Sequence, residues 1–247
     1  MRKFGLIGLP LSHSFSKQFF TDKFQREDID AVYENYPMET LDEMSHLLRS
    51  EPDLIGLNVT IPYKTAIIKL LDDIDDEAKF IQAANTIAIE RVGAECHLHG
   101  HNTDVVGFRD SISKHLHGHE QAFILGTGGA AKAAYHVLTD LDIECELVSR
   151  NPELGDYTYE ELTAEDIWQH TIIINCSPVG MFPDVTVAPE IPYDAITPEH
   201  LLFDMVYNPS ETVFLRKGKI RGATCINGQE MLERQAEESW RIWNDQG

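Results

Sequence analysis

The chain is 247 residues long, 43% hydrophobic and 25% charged, an ordinary globular composition with length for two small domains or one large one. Its formal net charge of -21 sets it against a nucleic-acid backbone and against an anionic membrane surface, so neither is an expected partner. A small anionic ligand is still allowed, because one pocket can be locally basic.

Taken in chain order, residues 4–8 read as a short buried strand, and residues 15–26 have helical spacing through Phe15, Phe19, Phe20 and Phe24. Residues 31–36 read as a strand, 41–49 as an amphipathic helix and 54–58 as another apolar strand. Pro62 then suits the first turn of a following helix. Residues 86–90 return to strand, and 105–117 are helix-like. A cleaner unit follows: a strand at 122–125 runs into Gly126-Thr127-Gly128-Gly129, and an Ala-rich helix spans 130–139. Strands follow at 144–148, 172–175 and 201–204, and a strong amphipathic helix closes the chain at 229–243. This alternation predicts an α/β fold with mainly parallel sheets. We expect two domains with a cleft between them: residues 1–104 with 228–247 as a split first domain, and 105–227 as a continuous second one.

The four cysteines, Cys96, Cys145, Cys176 and Cys225, include no Cys-x-x-Cys pair, so reduced thiols are expected. The apolar run after Arg2 and Lys3 is too short and too broken by Gly and Pro for a signal peptide. No stretch approaches the roughly 20 apolar residues of a membrane span. A soluble, cytoplasmic protein is the expectation.

Gly126-Thr127-Gly128-Gly129-Ala130-Ala131 fits the Ala-ended dinucleotide fingerprint, after a strand and opening a helix. Gly126 permits the tight turn, Gly128 lets the backbone approach a pyrophosphate, and Ala131 lets the helix pack close to the sheet. The helix N-terminus then offers free N–H groups and a positive dipole end to the phosphates. Where an NAD site places an acid, the next strand ends in Val148-Ser149-Arg150-Asn151-Pro152. Arg150 favours the extra phosphate of NADP, with Ser149 and Asn151 as hydrogen-bonding neighbours, unless Arg150 is only a solvated turn residue.

Ser12-His13-Ser14-Phe15-Ser16 opens a helix, where Ser14 and Ser16 serve either a carboxylate ligand or simple capping. Asn58-Val59-Thr60-Ile61-Pro62-Tyr63-Lys64 gathers an amide, a hydroxyl and an ammonium at a strand end. Lys64 is a candidate acid or base, or an exposed residue of a helix first turn, a position the dipole disfavours. Asn85-Thr86 and Asn102-Thr103-Asp104 add polar groups; Asp104 is either a partner that sets the lysine's proton affinity or a helix N-cap.

Together these segments resemble the shikimate dehydrogenase family, in the family's order and over nearly the whole chain. The matching stretches continue through Ala84-Asn85-Thr86, Gly100-His101-Asn102-Thr103-Asp104, Asn175-Cys176-Ser177-Pro178-Val179-Gly180-Met181 and Asp204-Met205-Val206-Tyr207-Asn208-Pro209, closing with Gly228, Met231-Leu232 and Gln235. The resemblance implies an N-terminal substrate domain and a Rossmann-type NADP-binding domain. The implied activity is reversible NADPH-dependent reduction of 3-dehydroshikimate to shikimate, a step towards chorismate and the aromatic amino acids. It implies that Ser14 and Ser16, with Tyr207 nearby, bind the carboxylate, and that Asn58, Thr60, Lys64, Asn85, Asp104 and Gln235 surround the ring hydroxyls. Lys64 and Asp104 match the acid/base pair. Gly126, Thr127, Gly128, Gly129, Ala130, Ser149, Arg150 and Asn151 match coenzyme contacts, and Met205 and Gly228 match positions near the nicotinamide. The chain departs from the family's pattern at Lys17-Gln18-Phe19-Phe20, at Glu153 in place of a second basic residue, and at Cys176-Ser177 in place of threonines.

The nearest alternative is a quinate/shikimate dehydrogenase using NAD or NADP, and the paired Ser14 and Ser16 lean towards the shikimate-specific form. From other classes come a non-catalytic cofactor-binding sensor and a metal protein. The trios His97, His99, His101 and His115, His117, His119 would each share one face if they lay on strands. No Cys or acidic arrangement completes such a site, so no metal is expected. The small-molecule substrate and coenzyme are the expected partners, to a monomer or homodimer.

Overall fold

The apolar run near the N-terminus forms β1 (Arg2–Gly8), whose last five residues are buried. It lies inside a sheet because both of its edges are paired in parallel, to β2 (Ala31–Pro37) and β3 (Leu54–Val59). The computed structural model describes residues 1–11, 14–93 and 95–245. The chain divides into two compact units, Met1–Thr103 with Ala236–Gly247 and Asp104–Gln235.

In the first unit the six-stranded sheet has the order β2-β1-β3-β5-β6-β4. The strands β5 (Thr86–Val92) and β6 (Glu95–His101) form an antiparallel hairpin, β5 is antiparallel to β3, and β4 (Asp73–Ile74) is parallel to β6. The sheet is therefore mixed, with parallel pairs around β1 and at the β6–β4 edge. One face is covered by α1 (Phe15–Arg26) and by the C-terminal part of α8 (Gln229–Asn244). Trp243 stacks on Phe4 at 4.8 Å, and its indole N–H donates to the Ile87 carbonyl at 3.0 Å. Gly56 makes room for it, since a Cβ there would lie 2.5 Å from the Trp243 ring nitrogen. The other face packs against α2 (Met44–Ser50), preceded by a 3-10 turn at Leu41–Glu43, and against a 3-10 segment at Ala66–Leu70.

The helix expected from Pro62 does not start there. Ile61 to Thr65 form turns, and the 3-10 segment begins only at Ala66. A short helix not read from the pattern, α3 (Asp76–Ile81), is capped by Asp75, whose carboxylate accepts from the Ala78 N–H.

The second unit holds five parallel strands: β7 (Gln121–Leu125), β8 (Glu144–Val148), β9 (Ile172–Asn175), β10 (Leu201–Asp204) and β11 (Thr224–Asn227), in the order β11-β10-β9-β7-β8. Helices α4 (Thr103–Ile112), α5 (Gly129–Asp140), α6 (Ala164–Gln169) and α7 (Val213–Ile220) lie along the chain between or before these strands. The order reverses at β7, which has β8 on one side and β9 on the other. In open parallel sheets such a switch point leaves a crevice beyond the carboxyl ends of the strands, where ligands bind.

The second histidine trio is not on a strand: His115 ends a 3-10 segment (Ser113–His115), and His117 and His119 follow in a loop. On β6, His99 faces Glu90 at 3.4 Å and His101 faces Asp75 at 2.9 Å. Among the described residues no helix is long and apolar enough to cross a membrane, and no group of three or more His, Cys, Asp or Glu is arranged to hold a metal ion.

Candidate active site

In the first unit the loops that leave β1, β2 and β3 are stitched together by their backbones. Leu9 N–H donates to Ile61 O at 3.1 Å, Thr60 N–H to Ile7 O at 3.0 Å, and Met38 N–H to Gly8 O at 3.3 Å. Ser14 occupies the N-cap position of α1, yet its side chain makes no cap bond, and its Oγ is buried without a hydrogen-bond partner. Capping therefore does not account for Ser14. A hydroxyl aimed into a buried space, beside a helix first turn that contains no acidic residue, suits an anion. Burial raises the Tyr33 phenol well above its ordinary value, and the nearby Ser16 hydroxyl draws it back. Ser12 and His13 lie outside the described residues.

Thr60 and Lys64 are both half-buried in the loop after β3. The Lys64 carbonyl accepts from the Ala84 N–H at 2.8 Å, which ties this loop to the segment leading into β5. Because Lys64 lies in a turn ahead of the 3-10 segment, the helix-dipole argument against a lysine there does not apply.

Asn58, only 5% exposed, uses its amide inside the unit. Its Oδ1 accepts from the Tyr33 hydroxyl at 2.7 Å, and its Nδ2 faces Ser239 Oγ at 2.9 Å and Thr86 Oγ1 at 3.1 Å. Asn85 Oδ1 accepts from the Thr103 N–H at 2.7 Å, so it satisfies a donor at the start of α4. Asp104 is 8% exposed and is the second residue of α4, within its first turn. It is not the N-cap, and the positive end of the helix dipole favours its carboxylate. Asn102, just ahead of α4, gives its Nδ2 to Ala83 O at 2.9 Å and leaves its Oδ1 buried without a partner. Tyr33, Thr86, Thr103 and Ser239 support this cluster; Thr86 and Thr103 stand in stretches that the sequence marks, whereas no local signal marks Tyr33 or Ser239.

In the second unit the fingerprint loop leaves β7 through Gly126, whose φ of 121 favours glycine. Gly126 N–H donates to Val148 O at 2.9 Å, and Cys176 N–H to Leu125 O at 3.0 Å, which joins the exits of β7, β8 and β9. Gly128 is the N-cap of α5; it supplies no side-chain cap bond, and the first turn carries no acid. A Cβ built at Gly128 or Gly129 would meet nothing within 4 Å. The helix thus presents backbone N–H groups to open space, and these residues fit a phosphate-bearing coenzyme.

Ser149 and Asn151 shape the turn after β8: Asn151 N–H donates to Ser149 Oγ and Glu153 N–H to Asn151 Oδ1, each at 3.1 Å. Arg150 is exposed beside them. Burial raises the Tyr159 phenol above its ordinary value, and the Arg150 charge draws it back. Glu146, the acid upstream in β8, is paired with His170 at 2.8 Å and so is held away from the strand tip.

The exits of β9 and β10 are held by a buried group that the sequence reading did not single out. Asp204 is fully buried, and its carboxylate accepts from Thr212 Oγ1 at 2.5 Å, Val206 N–H at 3.0 Å and Asn175 Nδ2 at 3.0 Å. These bonds fix the chain around Met205 and Tyr207. Burial pushes the Asp204 carboxyl up from 3.8 to about 6, against the opposing pull of its three donors. The native state therefore holds an extra proton between about pH 4 and pH 6. This group's contribution to stability is fullest at the acid end and is lost as the pH rises through about 6. Against Asp204→Asn, wild type is expected to lose up to about 3 kcal/mol of relative unfolding free energy between pH 4 and pH 7, as measured by urea titration.

Gly228 lies between β11 and α8, and its N–H donates to Val206 O at 3.2 Å. Tyr207 is half-buried, and Gln235 donates its Nε2 to Leu232 O at 2.8 Å. Both belong to the second unit.

A family model described as the shikimate dehydrogenase substrate binding domain matches residues 6–87. A shikimate dehydrogenase (NADP(+)) of Clostridium beijerinckii is 38% identical, covering 99% of this chain and 93% of its own. Among solved structures, shikimate dehydrogenase 1 of Peptoclostridium difficile is 35% identical with a TM-score of 0.82, covering 100% of this chain and 93% of that one. A shikimate 5-dehydrogenase of Thermus thermophilus, solved with NADP(H) and shikimate, has a TM-score of 0.87 at 27% identity, covering 99% of this chain and 94% of that one.

Proposed function

The chain belongs to the shikimate dehydrogenase family, and from that premise we propose that it reduces 3-dehydroshikimate reversibly to shikimate with NADPH. It is an NADP-dependent oxidoreductase acting on a CH–OH group, in the route to chorismate and the aromatic amino acids. The structural observation that carries the ligand assignment is Ser14: a buried, unpartnered hydroxyl at the start of an acid-free helix turn suits a carboxylate.

In this reading Ser14 and Ser16 take the carboxylate with Tyr207 nearby, and Thr60, Asn85 and Gln235 take the ring hydroxyls. Asn58, whose amide is occupied within its own unit, frames them. Gly126, Thr127, Gly128, Gly129 and Ala130 bind the coenzyme phosphates, and Arg150, flanked by Ser149 and Asn151, takes the extra phosphate of NADP. Met205 and Gly228 lie by the nicotinamide. Residues 1–104 and 228–247 form the substrate domain of this proposal, and 105–227 the coenzyme domain. Bound NADPH supplies the hydride. Lys64 donates the proton that the ketone oxygen needs as it becomes a hydroxyl, and Asp104 orients the ammonium. In the reverse direction Lys64 accepts that proton. A cytoplasmic protein with four free thiols, acting as a monomer or homodimer, completes the proposal.

Steady-state rates with shikimate and quinate, each with NADP and NAD, test this function. Turnover is expected to be fastest with shikimate and NADP; equal rates with quinate would favour the broader quinate/shikimate enzyme. Arg150→Ala is expected to raise the KM for NADP by about tenfold and to leave that for NAD nearly unchanged, because the lost charge-assisted bonds serve only the extra phosphate.

A further inference from the structure

One buried network in the first unit runs from the serine end of the proposed substrate site to the start of α4. Tyr33 lies near Ser16. Tyr33 donates to Asn58 Oδ1 at 2.7 Å, and Asn58 Nδ2 donates towards Ser239 Oγ at 2.9 Å. Ser239 Oγ lies 2.7 Å from Thr86 Oγ1 and 3.3 Å from Thr103 Oγ1, and Asn85 Nδ2 donates to Thr103 Oγ1 at 3.0 Å. Every link is neutral, and Tyr33, Asn58, Asn85, Thr86, Thr103 and Ser239 are each at most 5% exposed.

Two backbone groups set the direction of the whole chain of bonds. The Thr103 N–H can only donate, so Asn85 must turn its Oδ1 towards it, and its NH2 is left to donate to Thr103 Oγ1. The Asn85 carbonyl can only accept, and it faces the Asn58 Nδ2 at 3.3 Å, so Asn58 must present its Oδ1 to Tyr33. Tyr33 is then the donor of its bond to Asn58. The Tyr33 ring needs no such bond for packing, since it stacks on Phe20 at 4.6 Å. Ser239 stands on a helix whose neighbouring inward residues are Ala236 and Trp243. Its hydroxyl is a polar group in an otherwise apolar face.

We propose that Tyr33 and Ser239 are positioning residues that orient the amides of Asn58 and Asn85 before substrate arrives, and so tune affinity for a polyhydroxylated ring carboxylate. This inference rests on the substrate reading given above. A fully connected buried network is rigid, and an amide held in one orientation loses little freedom on binding a hydroxyl. Removing the Tyr33 hydroxyl takes away the donor to Asn58 Oδ1, and removing the Ser239 hydroxyl takes away the shortest of the three acceptors around Asn58 Nδ2, so each loosens the amides.

The test is calorimetric titration of Tyr33→Phe and Ser239→Ala with shikimate, without coenzyme, alongside steady-state kinetics. Each variant is expected to weaken shikimate binding by about fivefold to tenfold and to raise its KM by the same factor, with the KM for NADP within about twofold of wild type. The double variant is expected to lose less than the product of the two single losses, because both act through one chain of bonds. A fall in melting temperature with shikimate affinity unchanged would overturn the proposal and leave a purely structural network. If Ser239→Ala fails to fold, Tyr33→Phe decides alone, since it keeps ring and volume. Wild type that turns over shikimate beside unaffected variants defeats only this inference; wild type that does not bind shikimate defeats the substrate reading and this inference with it.

Discussion

Lys64→Ala is expected to lower kcat by about a thousandfold while changing shikimate affinity by less than about tenfold. The asymmetry follows from when the ammonium is needed. A ground-state ketone or hydroxyl gains one hydrogen bond from it, whereas the oxygen in the transition state carries developing charge that only a proton can quench. The loop that carries Lys64 is fixed by backbone bonds, Lys64 O to Ala84 N–H at 2.8 Å and Thr60 N–H to Ile7 O at 3.0 Å, so truncating the side chain leaves its surroundings in place. Turnover followed at the NADPH absorbance band, with shikimate binding measured separately, separates the two effects. Lys69→Ala, at an exposed position of the following 3-10 segment, is the control and is expected to behave as wild type. Equal losses in binding and turnover at Lys64 would make it a ligand-holding residue with no part in proton transfer.

The second large effect is steric. A Cβ at Gly228 would lie 2.2 Å from Met205 O and 2.7 Å from Met205 C, both backbone atoms. Neither side can yield easily: Met205 N–H donates to Asn175 O at 3.0 Å, Gly228 N–H to Val206 O at 3.2 Å, and Leu232 N–H to Gly228 O at 3.0 Å. Gly228→Ala is therefore expected to cost about 2–3 kcal/mol of stability in denaturant unfolding, and to weaken NADP binding by more than about tenfold through displacement of Met205. Gly129→Ala makes the contrast. Its Cβ would enter open space at the start of α5, so folding is expected to be unharmed while coenzyme binding suffers. One glycine is required by the packed chain, the other by what the chain binds.

The strands β9 and β10, and β7 beyond Gln121, were legible because a parallel strand covered on both faces must be an unbroken apolar run, as at Ile172–Asn175. The fingerprint loop was legible because its chemistry is local: a strand exit, a turn and a helix start within a few residues. Elements with little periodicity were not. The helix α3 has six residues and buries only Ala78 and Ile81, and β11 is an edge strand with no fully buried position. Pro62 suits a helix start and a turn alike, so sequence alone does not separate the two. Least legible was the polar network. Asn58 and Ser239 are 181 residues apart in sequence, and Thr86 and Ser239 are 153 apart, so nothing near any of them marks the contact. Asp204 likewise stands in a recognisable stretch, but only the fold shows that three donors converge on it and bury it.

Hydride transfer itself is tested most directly with shikimate carrying deuterium at the carbon that is oxidised. Incubated with the enzyme and NADP, that substrate is expected to pass its deuterium to the nicotinamide ring, detected by mass spectrometry of the recovered coenzyme. Coenzyme that binds tightly and returns unlabelled and unreduced would contradict dehydrogenase chemistry and leave a binding protein in its place.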